Sequence, residues 1–397
     1  MSQTTLITNA RIVTRREDFE GSLVVEDGLI VEILKDRYLP EALDARGRWL
    51  IPGVIDTHTD YIEKEIAPRP SAEIPLELAF HMMDQRALAT GLTTVLGAVR
   101  VSADKEKGGS LWRRDGLELG RQYERLSKTA KARHLMHVRW DTNFQPVDPK
   151  IEVLKSFTTL GNIVFNENIP GERQFRDLDH IAGKWAERRG VSLEEARVLI
   201  RQQIETNRGI NNRPQIRDAF SGDISLGSHD DTTIDHVIEA HAMGCSIAEM
   251  PTTLEAAQKA RDLGLIVTMG APNYYRGGSR CGNFGAPEAL ERGLVDVLCS
   301  DYHFPSLLGS VCKMFAAGIE PSRAVSLVTY NAAKSLNRDE KLGSIEVGKL
   351  ADLTLFAAHP NYAEVTHTWV GGELVYQSSE QVGAERHSDA RALVNAV

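Results

Sequence analysis

The sequence predicts an α/β protein: a (β/α)₈ TIM barrel with a small β-sandwich domain formed by the N- and C-terminal segments. Three observations predict this fold. Eight short runs rich in Val, Ile and Leu recur from residue 48 onward, helical patterns separate them, and 397 residues suffice for a barrel and a smaller module. Apolar strands that alternate with helices form parallel βαβ units. Eight units favour a closed barrel, with an open doubly wound sheet as the alternative.

The predicted strands of the barrel are, in chain order, WLIPGVID, TTVLGAV, HLMHVRW, NIVFNE, DISLGSH, CSIAEM, LIVTMGA and VDVLCSD. Two segments between them, SLEEARVLIRQQIETN and TTLEAAQKARDLG, carry apolar residues at helical spacing behind a Ser or Thr. Ser and Thr cap helix N-termini, so both segments are predicted helices. The barrel is expected over residues 51–341.

Two ends and one long connection lie outside the repeating pattern. Residues 1–50 and 342–380 contain short alternating strands with Glu-Gly and Asp-Gly turns, and we expect them to pair into the β-sandwich domain. Residues 168–222 form an unusually long connection between the fourth and fifth strands. Such insertions are often functional, so this segment is either a lid over the barrel mouth or an added helical pair without substrate contact.

Composition narrows the functional classes. A net charge of −9 argues against binding to nucleic acid or to an anionic membrane surface, although local arginines can still bind a small anionic substrate. The first residues do not resemble a secretory signal, and no run reaches membrane-spanning length. The four cysteines form no CxxC pair, which favours a reducing compartment. We therefore expect a cytoplasmic protein, and whether it forms a homodimer stays open.

The ends of the predicted strands supply candidate metal ligands. In an extended strand, residues i and i+2 point to the same side, so His58 and Asp60 can bind one ion. His229 and Asp301 end the fifth and eighth strands, and Glu167 ends the fourth. Imidazole and carboxylate ligands suit zinc, manganese or iron. The sequence thus predicts one or two divalent ions, with zinc favoured.

Two aspartates are the candidate catalytic groups. Asp301 can take the proton of a metal-bound water, because a bound metal lowers the pKa of that water toward neutrality; its alternative role is a helix N-cap. Asp230, or its neighbour Asp231, is expected to orient His229. The sixth run ends in Glu249, which is also a ligand-type residue, and a metal role stays open for His137 in the third strand and for His303 just past the eighth.

A set of basic residues near the strand ends indicates a polyanionic ligand, because guanidinium groups bind phosphate in a bidentate manner and Gly-rich turns let backbone N–H groups approach an anion. For each cation taken singly, a surface salt bridge is the alternative. The predicted substrate-binding residues are Lys64, Arg69, Arg173, Arg276 and Arg280.

Several motifs resemble the amidohydrolase superfamily: IPGVIDTHTD, SHDD, CSDYH and GSIEVGKLADL. More narrowly, HTDYIEKEIAPRP, PGERQF, AEMPTTLEAA, MGAPNYYRGGSRCGN and SDYHFPSLL are similar to segments of the α-D-ribose 1-methylphosphonate 5-triphosphate diphosphatase family of phosphonate metabolism. This resemblance, spread over most of the chain, implies metal-dependent hydrolysis of a 5-triphosphate to release pyrophosphate. It also implies that His58, Asp60, His229 and Asp301 hold the metal.

The chain departs from that family at two strand ends. The family typically has Met-Asp-His before the Pro-Gly turn and Arg-Cys-Glu after the third strand, whereas this chain has Asn166-Glu167-Asn168 and Arg139-Trp140-Asp141. The substitution of a histidine by Asn168 implies one metal instead of two, or another substrate. Cleavage of a C–N bond in a small amide or ring is therefore the second hypothesis, and a degenerate, non-enzymatic barrel is the third.

Overall fold

A computed structural model describes residues 4–69, 72–102, 115–167, 169–171, 173, 177–207, 209–220, 222, 224–279 and 282–379. The strands are β1 Thr4–Val13, β2 Asp18–Glu26, β3 Leu29–Lys35, β4 Leu43–Asp44, β5 Trp49–Pro52, β6 Val54–Thr59, β7 Leu92–Val101, β8 Arg133–Asp141, β9 Leu160–Asn166, β10 Ser225–His229, β11 Ile247–Glu249, β12 Ile266–Gly270, β13 Val297–Cys299, β14 Leu353–Ala358, β15 Ala363–Val370 and β16 Glu373–Gln377.

The helices are α1 Tyr61–Ile66, α2 Leu76–Ala89, α3 Gly116–Ser127, α4 Asp148–Lys155, α5 Leu178–Arg189, α6 Leu193–Asn207, α7 Arg213–Phe220, α8 Ile234–Ala242, α9 Leu254–Asp262, α10 Ala271–Arg276, α11 Ala286–Glu291, α12 Ser306–Ala316, α13 Pro321–Ser326 and α14 Tyr330–Ser335. No helix among the described residues is long and apolar enough to cross a membrane. Helices follow most barrel strands, as the alternating sequence pattern predicts.

Strands β6 to β13 form the predicted barrel. Each is parallel to its neighbour in chain order, and a parallel bridge between Thr59 and Asp301 joins the eighth strand back to the first. Side chains alternate along the strands: Val138 of β8 packs with the main core beneath the helices, whereas Leu135 belongs to a separate cluster with Ile55 of β6. The same alternation turns the polar residues at the carboxyl ends into the barrel mouth.

The N- and C-terminal segments pair into one sheet, in the order β16-β15-β14-β5-β1-β2-β3, with β4 beside β1. Strand β5 joins the two segments, because it pairs with β1 on one side and β14 on the other. The Asp27-Gly28 turn between β2 and β3 has positive φ at both residues, as a tight hairpin requires. One face of β5 packs in this sheet's own core through Leu50, and the other packs against the barrel through Trp49.

The long connection between β9 and β10 is helical. Helices α5 and α6 share a small core of their own, formed by Ile181, Ala182, Ala196 and Ile200. Ser192, the predicted N-cap of α6, forms a reciprocal capping box with Glu195. The chain then returns to the barrel at Asn212, whose side chain accepts a hydrogen bond from the Trp140 indole.

Candidate metal centre

His58 lies at the carboxyl end of β6, fully enclosed at the barrel mouth. Its Nδ1 atom is 3.1 Å from Oε2 of Glu249, and its Nε2 atom is 3.6 Å from Oδ1 of Asp60. Neither nitrogen makes a hydrogen bond among the described residues. The structure therefore brings His58 and Asp60 together, in the arrangement that their i, i+2 spacing predicts.

Glu249 is the central carboxylate of the site, although the sequence analysis singled it out only as a polar strand end. In the parallel register of β10 and β11 it lies opposite His229, and its Oε2 is 3.6 Å from Nε2 of that histidine. The same oxygen is 3.4 Å from Nε2 of His137, whose ring stacks on His58 at 4.3 Å between centroids. The sequence could have indicated this contact, because the last residues of two adjacent parallel strands lie side by side.

Unsatisfied polar atoms converge at this point. Among the buried side-chain atoms without a hydrogen bond in the described part of the chain are both ring nitrogens of His58 and His137, Oδ1 of Asp60 and Oε2 of Glu249. Buried polar atoms are nearly always satisfied, so such a cluster needs a further partner. Two groups of three residues each have ligand atoms that all lie within 4.8 Å of one another. The first is His58, His229 and Glu249, and the second is His58, Asp60 and Asp301. Both groups fit a divalent ion by ligand type and spacing.

The electrostatics of the site favour a bound cation. Burial alone would raise the pKa of Glu249, but His58 and His137 hold it well below its usual range. Burial would likewise lower the pKa of His58, yet Glu249 and Asp60 hold it well above. The carboxylates thus carry negative charge that the protons on imidazole balance, and a divalent ion can replace those protons.

Asp301 lies two residues after the end of β13 and faces His58 and Asp60. Burial raises the pKa of its carboxyl group above the usual value. Its backbone N–H donates to the His58 carbonyl. Helix α12 begins at Ser306 with Pro305 as its N-cap, so Asp301 does not cap it. Asp230 lies with Oδ2 at 2.9 Å from Nδ1 of His229, the position expected of a residue that orients this ring.

Glu167 lies apart from the histidines, in an arginine network. Its Oε2 accepts from Nε of Arg173 at 2.8 Å and from Nη2 of Arg213 at 3.0 Å. Strand alternation explains this position, because Asn166 pairs with Asp141 on the interior side and turns Glu167 away from it.

Arg173 is itself buried, at 5% exposure, and its side chain contacts other groups of the protein. Besides Glu167, it donates to the carboxylate of Asp231 and to the carbonyl of His229. Asp231 in turn accepts from the hydroxyl of Ser228. The structure therefore places this predicted substrate-binding arginine behind the strand-five residues, where it supports them.

The other predicted substrate-binding residues lie on the surface or outside the described residues. The Lys64 amine donates to the Tyr302 carbonyl at 3.2 Å and lies 4.3 Å from the Tyr302 ring centroid. Tyr302 is the residue that follows Asp301 in the sequence. Arg69 is exposed, and Arg276 is exposed and donates to the Pro272 carbonyl at 3.1 Å. Arg280 lies outside the described residues.

Solved structures with this architecture confirm the fold. N-acetylglucosamine-6-phosphate deacetylase from Pasteurella multocida superposes with a TM-score of 0.60 at 16% identity, over 95% of this chain and 100% of that chain. Dihydropyrimidinase from Brevibacillus agri gives a TM-score of 0.61 at 12% identity, over 94% of this chain and 95% of that chain. Residues 209–375 match the amidohydrolase family. The barrel thus has the fold of these enzymes, and part of the chain matches the amidohydrolase family.

A curated relative is much more similar in sequence. The chain is 35% identical over 392 residues to α-D-ribose 1-methylphosphonate 5-triphosphate diphosphatase from Escherichia coli (strain K12), covering 94% of this chain and 100% of the relative. The imidazolonepropionase of Geobacillus sp. (strain WCH70) is 22% identical over 400 residues, covering 87% of this chain and 86% of that protein. The chain therefore belongs to the amidohydrolase family.

Proposed function

We propose that this enzyme hydrolyses the 5-triphosphate of a ribose 1-alkylphosphonate and releases pyrophosphate. The observation that carries the proposal is the 35% identity to the diphosphatase of that name, which extends over the whole length of that relative. The site supports it, because phosphoryl transfer to water needs a positioned nucleophile and charge stabilisation, and the barrel mouth offers both.

We propose His58, His229 and Glu249 as the ligands of a divalent ion, with Asp60 and Asp301 completing its surroundings. Two imidazoles and a carboxylate suit zinc best, and they accommodate manganese or iron. When bound, the ion lowers the pKa of a coordinated water and polarises a phosphoryl oxygen. Glu167, which two arginines neutralise, is left out of this proposed ligand set.

The side chains of the protein have distinct proposed roles around that ion. Asp301 accepts the proton of the attacking water, because its carboxyl group faces His58 and Asp60 and burial raises its pKa above the usual value. Asp230, whose Oδ2 lies 2.9 Å from Nδ1 of His229, is proposed to orient that ring. Lys64 contacts Tyr302, the residue that follows Asp301, and is proposed to bind the leaving phosphates together with the exposed Arg69 and Arg276.

Hydrolysis of a C–N bond is the alternative. The curated imidazolonepropionases, whose alignment with this chain extends over most of its length, favour it. The two functions differ in product: pyrophosphate from the first, and ammonia or a ring-opened amide from the second. Both use the same metal centre, so loss of metal alone cannot separate them.

The deciding experiment measures products. Purified, zinc-reconstituted enzyme is incubated with ribose 1-methylphosphonate 5-triphosphate, and pyrophosphate, orthophosphate and ammonia are quantified. We expect stoichiometric pyrophosphate, and a loss of about 10²–10⁴ in kcat for Asp301→Asn, the range for removal of a general base. Ammonia from an amide or ring substrate, with no pyrophosphate from the triphosphate, would overturn the proposal.

A matched pair of histidine variants controls for general damage. His229→Asn removes an imidazole that lies beside a carboxylate at the metal centre. His359→Asn removes one that lies 3.3 Å from Glu364 of β15, in the sheet of the N- and C-terminal segments. We expect the first variant to lose metal and activity, and the second to keep both.

A further inference from the structure

The two candidate donor groups of the metal centre share one residue, His58. A neutral imidazole has a single lone pair for a metal, so His58 can serve two ions only as an imidazolate, after loss of its second ring proton. Without His58, the group that contains Asp60 and Asp301 has two carboxylates and no imidazole. A second divalent ion there would need an additional ligand or the removal of nearby positive charge.

Arg139 lies at this second position. It is on β8, two residues beyond His137, so both side chains point into the barrel. Its Nη1 donates to Oδ2 of Asp60 at 3.4 Å, while its buried Nε makes no hydrogen bond in the described part of the chain. The side chain is 17% exposed. A guanidinium group therefore already contacts the carboxylate that the second ion would need.

The neighbouring arginine has a different partner. Arg100 of β7 donates to Asp141 from both Nε and Nη2, at 3.3 and 2.8 Å, and pairs its charge with that carboxylate. Asp141 also accepts from the amide of Asn166. Arg139 is thus the arginine of this strand pair that faces the donor cluster, and Arg100 provides a natural comparison.

The fourth strand supplies no carboxylate to bridge two ions in the described residues. It ends at Asn166, whose side chain is an amide, and the next carboxylate, Glu167, is held by two arginines. The positive charge of Arg139 is permanent, because a guanidinium group keeps its proton in proteins. A divalent ion next to a fixed guanidinium in a partly enclosed site is repelled.

We propose that Arg139 is the built-in second cation of this centre, so that each chain holds one divalent ion. This inference rests on the proposed metal-dependent activity. Arg139 pairs with Oδ2 of Asp60, on the side away from His58. The single ion would be held by His58, His229 and Glu249, with Glu249 at the His58 nitrogen that does not face Asp60. Arg139 is a positioning and charge-balancing residue, and it limits the number of ions without binding any.

The test counts ions in the intact enzyme. Chelator-treated protein is reconstituted with Mn²⁺, dialysed, and analysed for Mn²⁺ per chain and by electron paramagnetic resonance. We expect one ion per chain and the six-line spectrum of an isolated Mn²⁺. The variant Arg139→Gln, which removes the charge but keeps a polar group, should bind a second ion at least about a hundredfold more tightly and give a spin-coupled spectrum.

Two further variants separate charge from shape and from general effects. Arg139→Lys keeps the charge and should still hold one ion. Arg100→Gln removes an arginine beside Asp141 instead of one beside Asp60, and this variant should also stay at one ion. Two coupled ions in the unmodified enzyme would overturn the inference without any variant, as would a second ion in Arg100→Gln or a single ion in folded Arg139→Gln. No bound ion at all would refute the metal-dependent function itself.

Discussion

Arg173 gives the most direct test of the structure, because the sequence pattern and the structure assign it different roles. The sequence pattern predicts a substrate-binding arginine, and the structure buries it between Glu167 and Asp231. Replacement by Met keeps much of the volume and removes the charge. Asp231, at 1% exposure, then keeps only the Ser228 hydroxyl among the partners described here.

The size of the effect follows from that burial. Removal of one partner of a buried ion pair costs about 3–5 kcal/mol, since the other charge is left uncompensated. We expect the lower end for Arg173→Met, because Glu167 retains Arg213 at 3.0 Å. Unfolding entropy is about 2.1 cal/mol/K per residue, so for 397 residues a loss of about 3 kcal/mol lowers the melting temperature by about 4 °C.

The assay is thermal unfolding of the metal-loaded enzyme, followed by steady-state kinetics. The double variant Arg173→Met with Asp231→Asn should recover part of the loss, because it removes the uncompensated charge. Arg276→Met is the matched control: this exposed arginine donates to Pro272 within its own helix, and its loss should change the melting temperature by less than about 1 °C. An unchanged melting temperature in Arg173→Met with a raised KM would show a substrate ligand and refute the network argument.

Two further predictions concern metal affinity and pH. Glu249→Gln should weaken zinc binding by at least about a hundredfold in a chelator competition assay. The control Glu364→Gln removes a glutamate that lies beside His359 in the sheet of the N- and C-terminal segments, and it should leave zinc affinity unchanged. Asp84 accepts from the backbone of Lys131 and Ala132 and contacts His134; burial opposes its ionisation, but these partners lower its pKa. Its charged form therefore stabilises the fold above the ordinary carboxyl pKa, and this contribution is lost as pH falls below it. Asp84→Asn should be about 1.5–3 kcal/mol less stable than the parent at pH 7, with a smaller difference near pH 3 in urea titrations.

The barrel is predictable from sequence because its signal is repeated eight times. Each apolar run from TTVLGAV to VDVLCSD overlaps a strand of the structure. The first run, WLIPGVID, is the instructive exception, since the structure divides it between two sheets at Gly53. The N–H of Gly53 donates to Asp352, and a Cβ atom there would lie 2.2 Å from the Thr93 hydroxyl. Apolar continuity cannot reveal such a break, because both halves are buried strands.

The site is only partly predictable, because a carboxylate at a strand end can point either way. Glu167 and Glu249 both follow apolar runs in the sequence. Glu249 is the last paired residue of its strand and aligns with His229, whereas Glu167 lies one position beyond Asn166 and turns to Arg213. A difference of one residue in where the strand ends therefore decides whether a carboxylate faces the metal centre or forms a structural ion pair. Strand lengths depend on pairing between distant segments, which composition and periodicity do not specify.

Left-handed backbone at three strand ends explains how consecutive residues can face the same site. Asp230, Met250 and Asp301 have φ of 59°, 53° and 56°, in a region that non-glycine residues rarely adopt. Each donates its N–H to the adjacent strand: to Glu249, Thr268 and His58, respectively. The barrel ladder thus stabilises the strained residue. Because left-handed geometry interrupts the alternation of an extended strand, His229 and Asp230 can lie side by side at the mouth. The strain is therefore what allows a ligand and the group that orients it to be neighbours in sequence.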